Sequence, residues 1–296
     1  MNFATIQERQ SCCLGKGGRK TTLRGDFSNP DETKIIIGVN TLNIIVCYKN
    51  VPEEQDIQVN PDKTLDLGRA AYKTGQYDLN AVEAGMQIAE AVAGSTVNVL
   101  TVGGDTVDNA KLKKGILSRG PAQMYAVKDA SLSEADSFMT AAVLKAAIER
   151  LGGADLVLCG EGSGDMYNQQ VGNTLGALMD LATVNAVSKI TPQGNSLIVE
   201  RSVEDGVEVL EVALPAVISV SSDINIPRIP GMKDILGAGK KPSTVWNLSE
   251  VTEPLQNPSR TISILAPEQT DRRQMIVEGD GDDAIEAFYS NIRRIL

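Results

Sequence analysis

The sequence predicts an α/β fold: an open, mostly parallel sheet with helices on both faces, followed by a hairpin and an extended C-terminal arm. Two observations predict it. Short apolar runs of strand length alternate with segments of helical period from Leu42 to Ala182, which is the pattern of successive βαβ units. One of those runs, Leu156 to Cys159, passes through a glycine-rich turn, Gly160 to Gly172, straight into the apolar-periodic Leu175, Leu178, Met179 and Leu181. A buried strand feeding a helix through glycines is how such sheets approach a ligand.

Taken in order, residues 1–41 stand apart. Lys16, Arg19, Lys20 and Arg24 cluster near Gly15, Gly17 and Gly18 with no sustained apolar period. The segment has no apolar centre of a signal peptide and fits an amphipathic transit peptide poorly. A disordered extension is expected there. Strands follow at Asn43–Lys49, Thr96–Val102, Met124–Val127, Asp155–Cys159 and Ala216–Ser221. Helices are expected at Leu79–Val92, Val107–Leu117, Glu134–Leu151 and Gln170–Ala182, with Ser133 as N-cap of the third. Leu197–Val203 and Val207–Leu214 flank Glu204-Asp205-Gly206, whose Asp-Gly predicts a hairpin turn. The Pro/Gly-rich stretch Ile224 to Pro242 reads as a functional or partner-binding loop. Residues 247–281 look extended and polar. In the last segment, from Asp282, residues Ile285, Phe288, Ile292 and Ile295 share one helical face. The expected organisation is thus an extension (1–41), a nucleotide-binding α/β domain (42–242), and an arm with a terminal helix that docks on a partner (243–296).

Composition narrows the function. The chain has 296 residues, 42% of them hydrophobic, and a net charge of -10. Acidity argues against nucleic acid as the main partner. No apolar run approaches the ~20 residues of a membrane span. There is no histidine, so Ser-His-Asp and Cys-His nucleophilic mechanisms are excluded. The four cysteines, Cys12, Cys13, Cys47 and Cys159, have neither zinc spacing nor a disulfide framework. Cys47 and Cys159 sit in strand patterns, where a buried thiol is expected, and a cytoplasmic location fits.

The segment Gly160–Gly172 carries the chemistry. It lacks the Gly-Lys-Ser/Thr of a Walker A loop, and it is not the first-strand G-x-G-x-x-G. Its helix start would still present free N–H groups to a phosphate, from Gln170, Val171 and Gly172. Asp165 and Asn168 could bond a ribose or base. Cys47 to Pro52 and the turn Gly103-Gly104-Asp105 lie at other predicted strand ends, so three segments converge on one sheet edge. A plain βα turn explains Gly103-Gly104 equally well, and a charged hairpin at Val199–Ser219 reads by itself as an edge device.

The spacing from Val199 to Ser219, with Arg201, Glu204, Asp205, Gly206, Glu208, Leu210, Pro215, Val217 and Ile218, resembles the signature of the β subunit of electron transfer flavoproteins. Asn43 to Pro52, Gln76 to Glu83, Pro227-Arg228 and Gly239-Lys240-Lys241-Pro242 resemble further segments of that family, closest to its FixA-like branch. The resemblance covers 43 to about 296. It implies an adenine-nucleotide alpha hydrolase-like domain in an electron-carrier subunit, not an enzyme in itself. It implies a heterodimer with an alpha subunit that carries FAD, and AMP or a second FAD held in this chain. Electrons would pass between acyl-CoA-type dehydrogenases and downstream acceptors, with the dehydrogenase docking on Ile224–Arg228. Carried over, the nucleotide would be lined by Cys47, Asp78, Gly103, Gly104, Gly160, Gly162, Asp165, Asn168, Gln169, Gln170, Val171 and Gly172. Departures are Gly75-Gln76 in place of the usual Asn-Pro, Glu161 in place of a basic residue, and a shorter loop before Pro227. Two alternatives stand beside the plain carrier: an electron-bifurcating complex whose β-bound FAD takes hydride from NADH, and a nucleotide-binding protein without redox function.

Overall fold

The computed structural model describes residues 41–253, 255, 258–259, 261–268 and 275–293. The expected extension, Cys12, Cys13 and Ile295 lie outside them, apart from Thr41. Nine strands form one sheet: β1 (Asn43–Cys47), β2 (Thr96–Gly103), β3 (Gln123–Lys128), β4 (Leu156–Gly160), β5 (Ala182–Gln193), β6 (Ser196–Val203), β7 (Gly206–Ala213), β8 (Ala216–Val220) and β9 (Ser243–Asn247). Their spatial order is β7-β6-β5-β8-β4-β1-β2-β3-β9. All neighbours are parallel except β6, which runs antiparallel to both β5 and β7. This is the α/β architecture that the sequence predicts.

The sheet is covered on both sides because its central strands bury apolar residues on both faces. Ile44 and Val46 of β1 face one core with Leu156 and Leu158 of β4; Ile45, Cys47, Val157 and Cys159 face the other. Helices α1 (Gln76–Ala91) and α2 (Ala110–Leu117) close the first core through Ala81, Val82, Ala84, Ile88, Ile116 and Leu117. Helices α3 (Ser137–Arg150) and α4 (Val171–Met179) close the second through Met139, Ala141, Val143, Leu144, Ala147, Ile148 and Leu175. The chain leaves β1 toward β2 and β3 on one side and returns through α3 to β4 on the other. A crevice therefore opens between the carboxyl ends of β1 and β4, where open sheets bind ligands.

Several boundaries differ from expectation, each for a local reason. The N-cap of α3 is Asp136, whose carboxylate accepts from the Met139 N–H at 2.8 Å; Ser133 lies in a short 3₁₀ turn before it. The helix expected at Val107–Leu117 splits: a 3₁₀ turn covers Asp105–Asp108, and Asn109 then caps α2 by accepting from Lys111 and Leu112. Helix α4 stops at Met179 because Asp180 turns left-handed at φ 55°. Ala182 then begins β5, a twelve-residue strand the pattern did not reveal. The Pro/Gly stretch contains a further helix, α5 (Met232–Ala238). Strand β9 pairs with β3, so the sheet continues past the expected domain boundary at 242. Beyond it, α6 (Asp282–Arg293) has no buried residue and leaves Ile285, Phe288, Tyr289 and Ile292 exposed.

Candidate functional site

The site is built on Asp78, in the first turn of α1. Its carboxylate is buried, 7% exposed. It accepts the Lys49 N–H at 2.8 Å, just past β1, and the Gly160 N–H at the end of β4. One side chain thus fastens both strand ends that border the crevice. Two glycines make room for it: a Cβ on Gly75 or on Gly160 would come within 2.7 Å of an Asp78 carboxylate oxygen. Burial pushes the Asp78 pKa up to about 7, although the two N–H donors and the nearby Lys49 pull it down. Desolvation of a charge with no ion-pair partner of its own outweighs them.

Lys49 reaches the other way. Its ammonium meets both oxygens of Asp165, at 2.7 and 2.9 Å, and so ties the end of β1 to the glycine-rich loop. Burial raises the Asp165 carboxyl, but the Lys49 hydrogen bonds win and hold it below the ordinary range. The loop itself is bent by two non-glycine residues in left-handed conformation, Tyr167 (φ 47°) and Gln169 (φ 56°). Such residues persist only where surroundings over-determine them. The Tyr167 hydroxyl donates to Glu161 at 2.7 Å, and its ring lies 5.3 Å from that of Tyr77. Gly162 sits beneath that ring, where a Cβ would stand 2.5 Å from it.

The loop ends at α4. Gln170 precedes the helix and no side chain caps it, so the N–H groups of its first turn are available for an anion. Gly172 is buried there. A Cβ at this position would collide with the Ser219 hydroxyl of β8. The missing side chain therefore serves close packing of α4 on the sheet, while the backbone N–H still faces the helix start. Asn168 donates to the Ser137 hydroxyl at 3.4 Å, and the Gln169 carbonyl accepts from Asn173 at 3.4 Å.

Gly103 ends β2, where it pairs with Lys128 of β3, and Gly104 follows it. Their lack of side chains is taken up by neighbours: a Cβ would meet Val107 at 3.0 Å in one case and the Ser133 hydroxyl in the other. Cys47 is buried, 5% exposed, under the crevice rather than on its wall. The nominated residues follow the carboxyl ends of β1, β2 and β4 or lie at the start of α1, with Cys47, Asp78, Gly104 and Gly172 buried. Sequence reasoning missed Lys49, Tyr77 and Tyr167 as site residues. Position next to a strand end or inside the glycine loop was the signal available for each.

A second region stands behind this edge. Asn80 and Asn225 bond each other's backbone carbonyls at 2.8 and 3.0 Å, pinning the segment after β8 to α1. Arg228 then grips Glu83 of α1 with Nε at 2.7 Å and with its second terminal nitrogen at 3.1 Å, and Glu90 at 2.9 Å. Burial would raise the Glu83 carboxyl, but these bonds hold it below its ordinary value. Held this way, the loop displays Ile226, Ile229, Met232 and Leu236, each at least 66% exposed. The second lysine of the Gly239-Lys240-Lys241-Pro242 segment has a structural role. Lys241 donates to the carbonyls of Leu117, Gly120 and Pro121 at 2.7–3.0 Å, closing the end of α2.

With this geometry in place, comparison with known families decides the identity. The model of the Electron transfer flavoprotein domain matches residues 64–251, more than half of the chain. The chain belongs to the electron transfer flavoprotein family. The matched span holds Asp78, the Gly103-Gly104 turn, the whole Gly160–Gly172 loop and the Arg228 anchor. Membership makes electron transport with a flavin the general setting of the site. No group of His, Cys, Asp and Glu able to hold a metal occurs among the described residues, and none of their helices is long and apolar enough to cross a membrane.

Proposed function

We propose that this chain is the β subunit of an electron transfer flavoprotein and that it holds AMP in the crevice between β1 and β4. The observation that carries the nucleotide reading is the uncapped start of α4, reached through a glycine-rich loop at the switch point of the sheet. A phosphate suits those N–H groups. Asp165, Asn168 and Lys49 supply charged and amide groups for the ribose and phosphate, and Tyr77 and Tyr167 supply aromatic surface for a base. The residues present therefore fit an adenine nucleotide.

The flavin that accepts and passes electrons belongs, in this reading, to an alpha subunit. What this chain contributes is position. Its helix α6 offers Ile285, Phe288, Tyr289 and Ile292 as an apolar face for that subunit. Its Ile224–Arg228 loop, with Ile229 and Met232 beyond it, offers a second apolar surface for an acyl-CoA-type dehydrogenase. Free buried thiols at Cys47 and Cys159 suit a cytoplasmic setting.

A second FAD, reduced by NADH in a bifurcating complex, is the alternative occupant, because AMP and the ADP half of FAD need the same pocket. The test is direct: the purified chain is denatured and its released nucleotide separated and weighed. One AMP per chain is expected. FAD in its place would support the bifurcating alternative, and no nucleotide at all would sink the reading.

A further inference from the structure

We propose that Cys47 and Cys159 form a dithiol–disulfide site, oxidised by hydrogen peroxide, that loosens the nucleotide when closed. The placement is set by the sheet. Val46 of β1 pairs with Leu158 of β4, so the next rung sets Cys47 opposite Cys159. Paired residues on neighbouring strands lie about 4.7–4.9 Å apart, within the roughly 4.4–6.8 Å Cα separation a disulfide spans. Both side chains face the same core, under α3 and α4. The two thiols are hydrogen-bonded, and both cysteines are free and buried. That bond and burial push the Cys47 thiol up, which slows its attack on peroxide.

The pair lies beneath the crevice. Cys159 comes immediately before Gly160 and Cys47 two residues before Lys49, and Asp78 accepts the backbone N–H of both. Cys159 also lies under the first turn of α4: a Cβ on Gly172 would be 3.6 Å from the Cβ of Cys159. A disulfide needs its sulfurs at about 2.05 Å, closer than any hydrogen-bonded pair. Both side chains must then turn toward each other, and the support under α4 shifts.

The chemistry balances. One sulfur attacks a peroxide oxygen, the O–O bond breaks, and a sulfenic acid and water result. The second sulfur attacks the sulfenic sulfur, the S–O bond breaks, and hydroxide leaves with the second thiol proton as water. Two thiols lose two electrons, and one peroxide becomes two waters.

The disulfide part stands on the strands alone; its effect on the nucleotide rests on the AMP reading above. The full chain, with any partner that accompanies it, is incubated overnight with hydrogen peroxide, denatured in alkylating reagent and mapped by peptide mass. The expected result is a Cys47–Cys159 linked peptide, reversed by dithiothreitol, with nucleotide content lowered about fivefold or more. Cys159→Ser should form no such link and keep its nucleotide under peroxide; Cys159→Ala replaces it if that variant fails to fold. Recovery of both residues as alkylated thiols, or links only to Cys12 or Cys13, would overturn the site. A linked chain with unchanged nucleotide would overturn the coupling. A chain that carries no nucleotide before peroxide would overturn the AMP reading and leave the linked-peptide result standing.

Discussion

Asp78 concentrates the energetics of the site in one side chain. Its pKa of about 7 lies above the ordinary carboxylate value of 3.8, so the folded state binds the proton more tightly than the unfolded chain does. Stability contributed by this group is therefore greatest below about pH 4, falls as pH rises from there to about 7, and is flat above. Asp78→Asn should flatten that slope in denaturant melts between pH 5 and 8. An unchanged slope would show that the carboxyl is solvated. Gly172 offers a second test at this scale. A large substituent there is a folding lesion before it is a binding lesion, because the Ser219 hydroxyl occupies its Cβ position. Gly172→Ala should destabilise by about 1–3 kcal/mol through overpacking. Adding Ser219→Ala should recover most of that loss; a double variant no better than the single one would contradict the packing account.

At the scale of elements, the loop after β8 is held to α1 by the Asn80–Asn225 hydrogen bonds and the Arg228 ion pairs rather than by its own structure. Glu83 is 6% exposed and depends on Arg228 for its charge partner. Arg228→Met removes the ion-pair partner of that buried carboxylate and leaves it only the Gln87 amide as a side-chain donor, at an expected cost of about 1–3 kcal/mol. Glu83→Gln with Arg228→Met should restore part of it. Melting temperatures of the four proteins give the answer, and simple additivity would deny the coupling. The central strands and the helices that cover them were legible because their apolar runs are continuous and their helices are periodic. Strand β5 was not legible. Ala186 takes a left-handed φ of 54° and the register with β8 shifts there, so Val184 and Val187 are both buried although three residues apart. A bulge of this kind erases the period of two. Strand β9 was hidden for a different reason: it is a five-residue edge strand, only partly buried. In the site, the glycine loop was legible from composition. The Lys49–Asp165 pair was not, since it joins residues 116 apart in sequence.

At the scale of the molecule, the surface divides by role: a polar crevice at the sheet edge, an apolar loop behind it, and an apolar-faced helix α6. Leu248, Val251 and Leu255 pack against the main core, so a truncation that begins at 247 would damage the domain itself. Removal of residues 275–296 spares it. That shorter chain should fold and hold its nucleotide, yet lose most of its flavin-bearing partner on co-purification; full retention would show that α6 is not a docking element. In the function proposed above, a flavin on a partner does the redox chemistry while this chain holds AMP. The flavin and AMP content of the purified complex, followed by titration with NADH, tests that division of labour. One FAD and one AMP per heterodimer, with no reduction by NADH, are expected. Two FAD with no AMP, and bleaching of flavin absorbance by NADH, would contradict it.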